Sequence, residues 1–192
     1  KKNSIGKIKG EEILEKIIKK NKPVIFVSGH FANFELMSME LTKRSIKLAT
    51  IYRPLNNFFI NPIMEHVRRK YVCNNQIKKG IAGVKSAIKY IKNNCSVALM
   101  IDQRVSEGKK ISLFGHMAFT TTLPSQLAFK YQLDIVPIYI ARKANDNFEM
   151  EIYEPIKILN KEVSEASKLN LTIKLNKIIE EMISRNPGQW IW

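Results

Sequence analysis

The chain has 192 residues, 45% of them apolar, which is enough for one domain with a core of its own. Lys and Arg outnumber Asp and Glu by 32 to 17, a net charge of +15 that favours acidic partners: nucleic acid, an anionic membrane surface, or an acidic protein or substrate. No apolar run approaches the roughly 20 residues of a membrane span, no signal peptide is visible, and Cys73 and Cys95 form neither a C-x-x-C pair nor a metal spacing, which fits free thiols in a reducing compartment.

In chain order, "EEILEKIIKK" (11–20) predicts a short helix with Ile13, Leu14, Ile17 and Ile18 on one side, ended by Asn21 and Pro23. "VIFVS" (24–28) is a β-branched apolar run of strand length. "NFELMSMELTKR" (33–44) predicts a helix with Asn33 as N-cap and Glu35 in the first turn, where the macrodipole favours a carboxylate. "KLATIY" (47–52) predicts a second strand. "NPIMEHVRRKY" (61–71) predicts a helix capped by Asn61, with Pro62 at its first position and Ile63, Met64, Val67 and Tyr71 on a shared face. The preceding Phe58-Phe59-Ile60 run could touch lipid; burial in the core is the default expectation.

"GIAGVKSAIKYIKNN" (80–94) is amphipathic, with Ile81, Val84, Ile88 and Ile91 facing in and Lys85, Lys89 and Lys92 facing out. "SVALMI" (96–101) is a third strand, followed by a loop and a helix around "LPSQLAFKY" (123–131). "DIVPIYIA" (134–141) and "FEMEIY" (148–153) are further strands. Leu171, Leu175, Ile178 and Met182 mark a C-terminal helix stopped by "NPG" (186–188). Alternating strands and helices predict a single α/β domain over 1–192 with a largely parallel central sheet, and near-continuous apolar strands predict helices on both of its faces. The start at Lys1 rather than Met and the end at "QWIW" lead us to expect truncation at both ends.

In an open α/β sheet, function gathers beyond the carboxyl ends of the strands. Those ends carry His30, Arg53, the run Asp102-Gln103-Arg104, and Arg142. Glu35 follows His30 by five residues, a step of about 140° on one helix, so the two cannot pair inside it. They can pair if His30 lies in the loop before the helix. Glu35 could then accept the Nδ1 proton and leave Nε2 as a base. The competing reading is a loop histidine bonded to backbone. Ser28 has no G-x-S-x-G elbow, which argues against a serine hydrolase. His30, His66 and His116 lack metal-binding spacing, and no Walker A or G-x-G-x-x-G run occurs. "HVRRKY" (66–71) reads as a phosphate-binding basic face or, by default, a solvated helix face.

Five segments then match one family in order. These are "SGHFANFE" (28–35, an H-x-x-x-x-E box), "YRPLNNFFINPIMEHVRRKY" (52–71), "LMIDQRVSEGKKISLFGHMAFTTTLPSQLAFK" (99–130), "IVPIYIAR" (135–142) and "NPGQWIW" (186–192). Together they resemble the late acyltransferases of lipid A biosynthesis, the lauroyl/myristoyl type, within the lysophospholipid acyltransferase-like superfamily. The resemblance implies a glycerolipid acyltransferase-like fold, with His30 as general base and Glu35 orienting it. It implies that Arg53, Asp102 and Arg104 sit at positions tied to activity or phosphate binding. With Gln103 and Arg142 from the strand ends, these form the candidate substrate-binding set.

The resemblance also implies an acyl-carrier-protein (or acyl-CoA) thioester as donor and an anionic phosphorylated glycolipid as acceptor. The expected place is the cytoplasmic face of the bacterial inner membrane, peripherally or through a missing N-terminal helix. No metal or redox cofactor is expected. Arginine suits a phosphate through its bidentate fork. A lysophospholipid or another glycolipid is the alternative acceptor. A nucleic-acid-binding domain would explain the charge alone, and no aromatics interleave with the basic residues as stacking platforms require, so no nucleic acid partner is expected.

Overall fold

The polypeptide is described here by a computed structural model covering residues 5–159 and 164–191. Lys1 and Trp192, the two ends noted above, lie outside the described residues.

A seven-stranded sheet forms the centre. Its strands are β1 (Ile5–Lys9), β2 (Ile25–Ser28), β3 (Leu48–Tyr52), β4 (Asn75–Lys78), β5 (Ser96–Met100), β8 (Ile135–Arg142) and β9 (Phe148–Ile152). They lie in the order β1-β9-β8-β2-β5-β3-β4. β8, β2, β5, β3 and β4 run parallel to one another; β9 runs antiparallel to β8, and β1 pairs parallel with β9. The expected largely parallel sheet is thus observed. All four residues of β2 are buried, as a strand covered on both faces requires. Between β5 and β8, strands β6 (Lys109–Leu113) and β7 (His116–Thr120) form a separate antiparallel hairpin.

The helices divide between the faces. On one side α1 (Glu11–Lys20) and α2 (Glu35–Lys43) bury Leu14, Met37 and Leu41 against Phe26, Val136 and Ile138. On the other, α4 (Ile81–Lys92), α5 (Leu123–Tyr131) and α6 (Glu165–Arg185) bury Ala87, Leu127 and Leu175 with Ile25, Val27 and Val97. The alternation along β2, with Phe26 to one face and Ile25 and Val27 to the other, is the period-two signature of a central strand.

Several local expectations are corrected. The inward stripe of α4 is Gly83, Ala87 and Ile91; Val84 and Ile88 are half-buried and Ile81 is 83% exposed. A Cβ on Gly83 would run into the Lys78 carbonyl, so this glycine lets α4 lie against the end of β4. α3 (Asn61–Tyr71) has no buried residue, and its apolar face points outward. Its entry is held by Asn57, whose Oδ1 accepts from the Phe59 and Ile60 N–H groups at 3.0 and 3.1 Å, while the Asn61 side chain accepts instead from Leu55 N–H. Asn33 gives α2 no side-chain cap; its carbonyl accepts from Leu36 N–H.

Candidate active site

Strand register brings the central pair together. β2 and β5 are neighbours, with Ser28 opposite Met100, and the ladder continues through Ile101 N–H to Ser28 O. Two residues beyond that pair come His30 and Asp102. The His30 ring donates Nδ1–H to Asp102 Oδ1 at 2.7 Å, and the His30 backbone N–H donates to Asp102 Oδ2 at 2.7 Å. The Asp102 side chain is fully buried, while that of His30 retains 20% exposure. A buried carboxylate on Nδ1 fixes the ring tautomer and leaves Nε2 as the basic nitrogen. Phe34 packs edge-on against the ring at 4.7 Å.

The loop that delivers His30 is tightly built. A Cβ on Gly29 would meet two Phe31 ring carbons at 2.7 Å and Asp102 Cγ at 3.2 Å, so only glycine fits between Phe31 and the Asp102 carboxylate. Ala32 adopts φ 46°, a left-handed conformation that costs an L-residue roughly 1–2 kcal/mol. It is held there by its N–H, which donates to Gln189 O at 2.7 Å. Ser28 is fully buried and its hydroxyl donates to the Gly29 carbonyl at 3.3 Å.

His30 opens onto a cleft of about 410 Å³ beyond the carboxyl ends of β2, β3 and β5. Its lining is mixed: Ile51, Val72, Val84, Leu99 and Leu123 supply apolar surface, and polar or charged residues, His30, Glu35, Arg53, Arg68 and Gln103 among them, line the rest. That combination suits an apolar chain with a polar end. Glu35 lies in this wall, yet not on His30. Its Oε1 accepts from Arg68 Nε at 2.6 Å, so the carboxylate on His30 Nδ1 is Asp102 rather than the expected Glu35. Arg68 Nη1 is buried without an acceptor in the protein.

α3, which carries Arg68, is anchored through Glu65. Glu65 Oε1 meets Lys78 Nζ at 3.0 Å and accepts from Asn61 Nδ2 at 2.8 Å. The Tyr52 hydroxyl beside it, although short of full hydrogen-bond geometry, does most to hold the Glu65 carboxyl down to about 2, with Lys78 and Asn61 adding to it. Burial first, then Glu65, pushes the Tyr52 hydroxyl up to about 12.

The remaining expected residues separate. Arg53 and Gln103 are exposed and line the cleft. Arg104 and Arg142 do not line it. Arg104 lies over the Phe119 ring of the hairpin at 5.5 Å. Arg142 lies over Phe148 at 5.4 Å, with its backbone N–H and carbonyl both bonded to the Gln189 side chain. Two residues were missed as individual site residues. Arg68 was read only as part of a basic face, and Trp190 only as part of a C-terminal signature. Trp190 Nε1–H donates to Asp102 Oδ2 at 2.8 Å, across 88 positions of sequence. Among the described residues, no group of three or more His, Cys, Asp or Glu is arranged to hold a metal ion.

The profile of a family described as bacterial lipid A biosynthesis acyltransferase matches residues 2–192. A relative from Shigella flexneri, named lipid A biosynthesis acyltransferase 2, is 25% identical over 189 residues, which cover 96% of this chain and 58% of that protein. The chain therefore spans less than two thirds of that relative's length. With the profile matched over almost every residue, the chain belongs to the bacterial lipid A biosynthesis acyltransferase family.

Proposed function

We propose that this chain carries the catalytic centre of an acyltransferase. It moves a fatty acyl chain from an acyl-carrier-protein thioester to a hydroxyl of a phosphorylated lipid A precursor. The observation that carries the reading is the His30 ring in the cleft wall, gripped at Nδ1 by the buried Asp102 carboxylate.

His30 Nε2 takes the proton of the acceptor hydroxyl as its oxygen attacks the thioester carbonyl carbon. The tetrahedral intermediate then expels the thiolate, the C–S bond breaks, and the imidazolium returns the proton to sulfur. Asp102 keeps the ring in the Nδ1–H tautomer and stabilises the imidazolium. Glu35 acts through Arg68: it fixes the guanidinium in the cleft wall, where its positive charge acts on a substrate oxygen that carries or develops negative charge. Arg53 at the rim supplies a bidentate fork for an acceptor phosphate.

The proposed site of action is the cytoplasmic face of the inner membrane. An apolar ridge beside the cleft supports contact with a membrane surface. Phe58 and Phe59 are 78% and 80% exposed, and Ile63, Val67 and Tyr71 continue along α3. Lys70, seven residues after Ile63, lies on the same helix face. Exposed aromatics joined to a cationic helix face fit an anionic lipid surface, with the ridge entering the apolar layer. Among the described residues no helix is long and apolar enough to cross a membrane. Incubating the protein with radiolabelled acyl-carrier-protein thioester and, in parallel, a phosphorylated lipid A precursor or a lysophospholipid tests the reaction. Label should move to the first acceptor.

A further inference from the structure

The C-terminal segment is sewn onto the loop that carries the base. After α6, a short 3-10 turn at Pro187–Gln189 redirects the chain across the sheet end. Phe31 and Trp190 form an antiparallel bridge. Ala32 N–H donates to Gln189 O at 2.7 Å, and Ile191 N–H donates to His30 O at 2.9 Å. The Gln189 side chain clamps the Arg142 backbone at the end of β8 through two bonds of 2.7 and 2.9 Å. The strap therefore ties β8, the His30 loop and the end of β5 into one unit.

Its decisive contact is on Asp102. This carboxylate is fully buried and takes three N–H donors: the His30 ring on Oδ1, and the His30 backbone and the Trp190 indole on Oδ2. The carboxylate torsion is broad and roughly two-fold by itself. Two donors on Oδ2 from different directions fix that rotation, so that Oδ1 faces the ring. Trp190 does not line the cleft.

We propose that Trp190 is a positioning residue: its indole N–H locks the Asp102 carboxylate, and with it the His30 ring, so the catalytic pair is complete only when the C-terminal strap has docked. This rests on the reading of His30 as the base.

The test is replacement of Trp190 in the full protein by 3-benzothienylalanine, which keeps the bicyclic shape and puts sulfur where the N–H was. The expected result is a fall of about tenfold or more in kcat with KM unchanged, because the base is misaimed while the cleft is intact. Trp190→Phe should show the same split, and serves as the second variant if the analogue does not fold. Combined with Asp102→Asn, the substitution should cost almost nothing further. Wild-type kcat in a folded isostere, or a change confined to KM, would overturn the proposal. His30→Ala separates the two claims. If that variant is inactive and the isostere is normal, only the role of Trp190 fails; if it is fully active, the base reading fails and the proposal falls with it.

Discussion

Asp102 holds His30 twice, taking the ring Nδ1–H on one carboxylate oxygen and the backbone N–H on the other, both at 2.7 Å. The double grip fixes ring orientation and loop position together. Asparagine can offer one acceptor oxygen but must turn N–H groups either toward the ring donor or toward the His30 backbone and Trp190 indole donors. Asp102→Asn should therefore lose on the order of a hundredfold or more in kcat through the wrong tautomer. It should also lose about 1–3 kcal/mol of stability from the unsatisfied buried donor. Steady-state kinetics and thermal denaturation of the same preparation check both, and a variant with normal kcat contradicts the assignment.

Glu35 and Arg68 both line the cleft and meet at 2.6 Å. If Glu35 acts through Arg68, Glu35→Gln and Arg68→Gln should not add: a double-mutant cycle on kcat/KM should give a coupling of about 1–3 kcal/mol. Glu35→Gln should also be milder than Asp102→Asn, since it leaves the His30 contact untouched. Additive effects would count against the pair.

Gly29 has no room for a side chain between Phe31 and Asp102. Phe31 is only 1% exposed and packs edge-on against Tyr139 at 5.1 Å, so its ring has little freedom to move aside. Gly29→Ala is expected to lower stability by about 1–3 kcal/mol and to reduce activity by displacing His30. A chemical denaturation curve measures the first effect; an unchanged midpoint would show that the loop has slack.

Phe58 and Phe59 form an exposed edge-to-face pair with ring centroids 4.9 Å apart. Burying one such side chain is worth roughly 1.5–3 kcal/mol. Phe58→Ser with Phe59→Ser should thus weaken binding of this chain to vesicles containing phosphatidylglycerol by at least about tenfold, without changing the thermal midpoint. Co-sedimentation measures this. Equal partitioning of the two proteins would remove the ridge from the membrane account.

The strongly apolar strands were legible because each is central: β2, β3, β5 and β8 carry buried runs whose type and length speak for themselves. β1 and β4 were not, because both are sheet edges with polar residues, as in "NQIK" (75–78). The β6–β7 hairpin hid inside a stretch read as loop, half of its strand residues exposed. The alignment of strand ends on one rim was readable. The adjacency of β2 and β5 was not, since strands 70 residues apart are paired by the whole topology rather than by local pattern. That is why Glu35, near in sequence, was expected where Asp102 stands. Trp190 was further out of reach, joining the site through the C-terminal strap. The outward face of α3 was masked by an ordinary amphipathic pattern, which specifies an apolar stripe without saying what covers it.

The central claim is that His30 is the base of an acyl transfer. The most direct measurement is the single-turnover rate of acyl movement from acyl-carrier-protein to a phosphorylated lipid A precursor, comparing the full protein with its His30→Ala variant. The account predicts a loss of at least about a hundredfold in the variant, with its thermal midpoint preserved. A variant that is as stable as the parent and transfers acyl chains at a near-normal rate would contradict it.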